Sequence, residues 1–389
     1  TVNTVVDASG KRSFLDQPTD MFIDKAGYLY ICDTKNDRVL KITAGGQIVQ
    51  EYSAADGIPF CAPQGVFVDG DGTVYVADTD NARIVCFDAS GTFVKSYGLP
   101  DSPMLSDVIT YAPTKIGVTP AGAIYVLMGE NIMLMDAGER FRGFIGQTDI
   151  GFDLLDWFLR RFASEEQKKS IEKHTAAPYD NFCVDDRGII YAVGRDTQEG
   201  QIKALNPGGN NIYRKVGAVD SDWQTVKDAV SSYFSGNILS KAFMFGERYE
   251  GELPQFSDIC VDADGIVTVI EKKSCHLFQY DPSGDLLAVF GGKGTNQGQF
   301  AMPVSVVTDA DGRLYQLDQR YGTVTVLEPT AFIRSVQRAT VAYGNGAYAE
   351  AEGLWNEVLS VGQTYPMAHY GAGCTAFKSG EWEKAMEHF

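Results

Sequence analysis

The sequence predicts an all-β six-bladed β-propeller with helical insertions, followed by a short all-α segment. Three observations predict it: a four-strand unit too small to bury both faces of its own sheet, six copies of that unit's first turn, and a change to helical periodicity after Pro329.

The unit is clearest over residues 61–98. Four alternating runs, Val66 to Val68, Thr73 to Ala77, Arg83 to Phe87 and Thr92 to Tyr97, are separated by Asp-Gly, Asp-Thr-Asp-Asn and Ser-Gly. Such runs read as antiparallel strands joined by hairpins, and an isolated small sheet needs copies of itself to cover its faces. The copies align on Gly27, Gly72, Gly122, Gly188, Gly265 and Gly312. Three residues after the glycine stand Tyr30, Tyr75, Tyr125, Tyr191 and Tyr315, with Thr268 in the fifth copy. Three residues before it stand Asp24, Asp69, Asp185, Asp262 and Asp309, with Thr119 in the third. Pro18, Pro63, Pro113 and Pro303 precede the first strand at constant spacing. Radial stacking of six such sheets gives the propeller, over residues 1–329.

The sixth copy supplies strands at Val304 to Thr308, Arg313 to Leu317 and Thr323 to Leu327, then runs into helix-like sequence. The alternating stretch Val2 to Asp7 is therefore expected to provide its outer strand and close the ring. Helical insertions are expected at about residues 147–176, where Phe152, Leu155, Leu159 and Phe162 keep helical spacing, and at about 218–254. Both fall between a blade's last strand and the next blade's first, as does the connection 99–112, so all three belong to one face.

From Phe332 onward the sequence repeats at a shift of 34, pairing Tyr343 with Phe377, Gly346 with Gly380, Tyr348 with Trp382, Ala351 with Ala385 and Trp355 with Phe389. The second copy stops inside its second helix, so further chain is expected to follow.

At 389 residues with a net charge of −18, the chain is long enough for about two domains and poorly suited to nucleic-acid backbones, which are bound through Lys and Arg. No run is apolar enough to span a bilayer, so membrane attachment is expected only through segments absent from this chain. Seven cysteines show no metal-finger spacing and leave the redox compartment open. The start at Thr1 fits a processed export substrate or a trimmed chain.

The stretch CAPQGVFVDGDGTVYVADTDNARI in the second blade resembles an NHL repeat; the first blade is close to it, and the third to sixth are degenerate in the D-T-x-N-x-R segment. Asp33 and Asp78 are expected to accept N–H bonds within the turn, and Arg38 and Arg83 to pair within the blade. The 34-residue helical repeat at 330–389 resembles the tetratricopeptide repeat. The combination, with PYDNFCVDDRGIIYAV, HLFQYDPSGDLLAVFGGKGTNQGQFAMP and VTVLEPTAFIRSVQRATVAY, is similar to bacterial NHL/tetratricopeptide proteins that often carry a C-terminal Yip-type membrane domain. That resemblance implies an extracytoplasmic, cell-surface propeller, tethered to the membrane by segments that follow.

Four histidines are present, at His174, His276, His369 and His388. Two of them in unequal blade positions cannot build the multi-histidine zinc site of the amidating-type lyases that share this fold. The glycines of GGKGTNQG at 291–298 precede no helix and read as an inter-blade loop, not a phosphate cradle. One register position stands out: four residues before the turn Asp, blades one to six carry Asp20, Gly65, Lys115, Asn181, Asp258 and Ser305. These residues are expected to converge on one channel mouth. Asp20, Asn181 and Asp258 could hold Ca²⁺ through oxygen atoms, an arrangement similar to gluconolactonase-like propellers; Lys115 could instead pair with a carboxylate in a polar plug. Trp157, Phe158, Trp223 and Tyr249 in the insertions are candidate contacts for a sugar or peptide.

Two functions are compatible with these features. The favoured one is a non-catalytic surface binding scaffold, whose propeller face takes a glycan, peptide or protein and whose helical repeat docks a protein. The alternative is a metal-dependent gluconolactonase-like hydrolase using the Asp/Asn ring, which lacks an evident general base.

Overall fold

The computed structural model describes residues 1–102, 105, 110–145, 178–195, 200–213 and 254–389. Six antiparallel sheets follow one another along the chain. Blade one comprises Asp20–Ile23, Leu29–Asp33, Arg38–Ile42 and Ile48–Tyr52; blade two Pro63–Val68, Val74–Asp78, Arg83–Phe87 and Phe93–Tyr97; blade three Pro113–Val118, Ile124–Met128, Asn131–Met135 and Phe141–Phe144. Blade four has Tyr179–Val184, Ile190–Gly194 and Ile202–Leu205, blade five Phe256–Val261, Val267–Glu271, His276–Tyr280 and Leu286–Gly291, and blade six Pro303–Thr308, Leu314–Asp318 and Thr323–Leu327. The two helical insertions expected near 147–176 and 218–254, and with them Trp157, Phe158, Trp223 and Tyr249, lie outside the described residues.

Each blade begins on the same hairpin, and its chemistry explains why Asp, Gly and Tyr recur together. Asp69 Oδ1 accepts N–H bonds from Asp71 and Thr73 at 3.0 and 2.9 Å, while its other oxygen accepts the Tyr75 hydroxyl at 3.2 Å. Gly72 takes φ +85°, a left-handed conformation that a side chain disfavours. Asp24 with Tyr30 and Asp309 with Tyr315 repeat the arrangement. Thr119 substitutes its hydroxyl, accepting from Ala123 N–H at 3.1 Å. A second Asx turn, between the third and fourth strands, uses Asp88, Asp136, Asn206 and Asp281.

The sheets have no private cores. Buried apolar side chains form one cluster at each seam: Tyr30 and Val39 with Val66 and Val76 between blades one and two, Ile84 with Ile116 and Val126 between two and three, and Leu127 with Phe182 and Ile190 between three and four. Val193 meets Phe256 and Val267, Ile270 meets Phe300 and Val306, and Leu317 and Val324 meet Met21, Leu29 and Leu40 to complete the circle. Burial of this kind contributes roughly 25 cal/mol per Å² of apolar surface.

The N-terminal stretch contributes less to blade six than the sequence led us to expect. Val2 exchanges N–H bonds with Val324 at 2.7 and 3.0 Å. Val5–Val6 turns away to pair with Arg12–Ser13, and Val6 bridges to Gln47 of blade one.

The D-T-x-N-x-R segment ties blades one and two to the loops that enter them. Asp78, fully buried, accepts Cys61 N–H at 2.8 Å, Asn81 Nδ2–H at 2.8 Å and Arg83 Nε–H at 2.7 Å. Asp33 does the same with Asp16 N–H, Asn36 and Arg38. The accepted N–H thus comes from the incoming loop, not from the turn itself. Thr34 and Thr79 donate to the carbonyls of Pro63 and Pro113 in the following blade at 2.8 and 2.7 Å, and Gln319 donates to Pro18 at 3.2 Å across the last seam.

Four helices follow: α1 (Ala331–Gly344), α2 (Tyr348–Val361), α3 (Pro366–Ser379) and α4 (Trp382–His388). Thr330 caps α1 by accepting Ile333 N–H at 3.3 Å. The 34-residue shift is reproduced in contacts, since Tyr343 meets Tyr348 at 5.6 Å between ring centroids and Phe377 meets Trp382 at 5.0 Å. Trp355 is buried under α3, where a Cβ on Gly371 would come within 2.4 Å of its ring. The helices pack below blade five, burying Ile266 and Leu287, and Tyr365 donates its hydroxyl to Leu287 O at 2.6 Å.

Candidate binding site at the channel mouth

The predicted ring residues occupy the starts of the first strands, and all five side chains are linked, in one group of three and one of two. Lys115 Nζ donates to Asp20 Oδ1 at 2.5 Å across the channel, from blade three to blade one. Asp20 Oδ2 accepts Val66 N–H at 3.0 Å, and Ser305 Oγ lies 3.5 Å from Asp20 Oδ1. Asn181 Nδ2–H donates to Asp258 Oδ1 at 2.7 Å, and Asp258 Oδ2 accepts Val306 N–H at 2.7 Å. Blade two contributes no side chain because it cannot: a Cβ on Gly65 would lie 2.6 Å from Thr114 O and 2.9 Å from Lys115 Cα.

These contacts make a polar plug. Asp20, Asp258 and Ser305 are buried. Burial alone would push the Lys115 ammonium down, but the Asp20 and then the Asp258 carboxylate outweigh it and hold it above the ordinary lysine range. Burial pushes Asp258 up to about 6, against the opposing pull of Lys115. The oxygens proposed for Ca²⁺ at Asp20, Asn181 and Asp258 therefore do not fit a dication. Both oxygens of each carboxylate accept protein donors, Asn181 Oδ1 accepts Phe182 N–H at 2.8 Å, and an ammonium already supplies the positive charge. No group of three or more His, Cys, Asp and Glu is arranged for a metal among the described residues. At the opposite end of the channel Lys25 of blade one pairs with Asp186 of blade four at 3.1 Å.

Above the plug opens a cavity of about 400 Å³. The residue just before each ring position contributes to its wall: Thr19, Gln64, Thr114, Asp180, Ser257 and Val304. Arg195 and Lys272 complete it from the ends of the second strands of blades four and five. Arg195 is held by Asp180 at 2.7 Å and Glu130 at 2.9 Å. Lys272, Gln64 and Gln255 have no side-chain partner among the described residues, and the buried Ser257 hydroxyl has none either. The cavity lies on the face opposite the helices, which cover blade five from below.

The sequence pointed to the ring but missed this wall. Its signal was the repeat itself: Arg195 and Lys272 stand where blades one and two carry the stitching residues Thr34 and Thr79. At this position blades four and five, which depart from the pattern, turn a charged side chain towards the cavity.

A family model for the NHL repeat matches residues 60–87, which cover the first three strands of blade two. No curated protein matches the chain. Among solved structures, a virginiamycin B lyase from Staphylococcus aureus aligns at 12% identity and TM-score 0.46, covering 80% of this chain and 84% of that one. A catalytically inactive variant of the Staphylococcus aureus lyase with quinupristin aligns at 13% and TM-score 0.48, covering 80% and 81%. A protein of unknown function from Bacteroides caccae aligns at 12% and TM-score 0.44, covering 74% and 85%. The chain is a six-bladed β-propeller that carries an NHL repeat, with four helices after its last blade.

Proposed function

We propose that the protein is a non-catalytic binding module that takes a glycan or peptide in the channel-mouth cavity, while its tetratricopeptide-like helices, on the other face, dock a second protein. One observation carries this reading. The charges of the floor are satisfied among themselves, whereas the wall presents Gln64, Gln255, Ser257 and Lys272 with hydrogen-bonding capacity unused among the described residues. Amides and hydroxyls both donate and accept, which suits the hydroxyls of a sugar or the backbone of a peptide. About 400 Å³ is within the usual range for small-ligand sites. The hydrolase alternative would need a dication where the Lys115 ammonium sits, and no specific observation favours it.

The test is saturation-transfer NMR of the chain against a panel of disaccharides and tripeptides, repeated with Gln255→Ala and Lys272→Ala. A ligand of the mouth should weaken at least tenfold in either variant. A ligand that binds both variants as it binds the parent sits elsewhere and overturns the assignment.

A further inference from the structure

Outside the propeller, two histidines meet on the helical segment. His369 of α3 and His388 at the end of α4 bring their Nδ1 atoms to 3.4 Å, with ring centroids 5.6 Å apart and planes tilted by 47°. His369 Nε2 lies 2.8 Å from the carbonyl oxygen of Gln363. A carbonyl only accepts, so Nε2 carries the hydrogen and the Nδ1 of the neutral ring is a bare lone pair. His388 Nδ1 can face that lone pair in two ways: it shares a proton with it, or the two lone pairs share a cation.

We propose that His369 and His388 form a two-histidine site for a divalent first-row transition metal, Zn²⁺ above all, which fastens α4 to α3. At a Zn–N bond of about 2.1 Å, nitrogens 3.4 Å apart subtend about 108° at the metal, the tetrahedral angle. The Gln363 carbonyl behind His369 is the kind of outer partner that orients a ligating imidazole and fixes its tautomer. Neutral imidazole suits zinc, nickel and copper, and water completes the coordination. α4 has seven residues, and it is held by the Phe377–Trp382 ring contact, the buried Ala385 and the Lys384–Glu352 ion pair, so a metal would add a second fastening at its C-terminal end. A helix that short is not stable by itself.

The test titrates Zn²⁺ into the whole chain by calorimetry, beside His369→Gln and His388→Gln, and follows amide hydrogen exchange over residues 382–388. All seven cysteines remain in every sample, so binding to thiols cancels in the comparison. The parent should bind one more equivalent than either variant, and zinc should slow exchange in α4 of the parent at least tenfold. Far-UV circular dichroism confirms that the variants keep their helices. Equal stoichiometry in all three proteins, or exchange in α4 that ignores zinc, would overturn the site and leave the pair as a shared-proton hydrogen bond.

Discussion

Replacing Lys115 with methionine removes the ammonium that sits between Asp20 and Asp258 while keeping most of the side-chain volume. The side chains of Lys115 and Asp20 are only 13% and 4% exposed, so Asp20 would be left as a buried carboxylate whose remaining close donors are Val66 N–H and the more distant Ser305 hydroxyl. Breaking a buried pair at one partner costs about 3–5 kcal/mol, a large share of a net stability of roughly 5–15 kcal/mol. The pH dependence sharpens the prediction. Asp258 titrates near 6 in the fold, against 3.8 ordinarily. Its contribution is therefore fully present below 3.8 and is lost as the pH rises through 6, a change of about 3 kcal/mol at 1.36 kcal/mol per unit. Without Lys115 to pull it down, Asp258 moves higher still, and the loss extends to higher pH. Urea unfolding followed by circular dichroism at pH 5, 7 and 8 should show a deficit of about 3 kcal/mol or more at pH 7, smaller at pH 5 than at pH 8. Adding Asp20→Asn to the variant should recover part of it. A deficit under about 1 kcal/mol at pH 7, or one that grows as the pH falls, would refute the plug as a coupled charge network.

Two further perturbations probe the frame. Asp78→Ala removes the acceptor shared by Cys61 N–H, Asn81 and Arg83 and leaves the buried guanidinium without its carboxylate, so it should cost about 3–5 kcal/mol by the same urea measurement; a loss under about 1 kcal/mol would show that the entering loop is anchored by other means. Gln316 is fully buried, and neither end of its amide finds a partner among the described residues, so Gln316→Leu should leave stability unchanged or raise it by about 1–3 kcal/mol. A clear destabilisation by that substitution would mean that a buried water satisfies the amide.

Much of the propeller was legible because its signals are local and periodic. An Asp three residues before a Gly, with a Tyr three residues after it, is a complete hydrogen-bonded turn, and four full copies with two close variants leave little freedom in architecture. The ring of Asp20, Lys115, Asn181, Asp258 and Ser305 was legible for the same reason, since one register position recurs at one height in the channel. Pairing across the channel was not. Whether Lys115 would neutralise Asp20 or leave room for an ion depends on the channel's width, and no spacing along the chain encodes that distance. The path of Val5–Val6 was equally hidden, because an alternating stretch does not say which edge it will join. Blade six still lost its dependence on Asp-Thr without losing the function, for Asp318 accepts Ala301 and Met302 N–H at 2.7 and 3.0 Å. Glu271 does the same in blade five for Gln255 N–H at 3.0 Å. An eye set to the literal motif sees degeneracy where the acceptor chemistry persists.

The six seams are alike in packing but not in connectivity. The chain runs covalently across five of them, whereas blades six and one are joined by side-chain burial around Leu317, Val324, Met21 and Leu29, the Val2–Val324 rungs and the bonds from Gln319 to Pro18 and from Ser305 to Asp20. Mechanically this seam is a clasp on a bracelet. Tension on the first residues peels the Val2 rungs one at a time before any other seam is loaded. Once that clasp opens, the remaining blades form a linear stack with two bare ends, and the plug spanning blades one and three loses the curvature that brings its charges together.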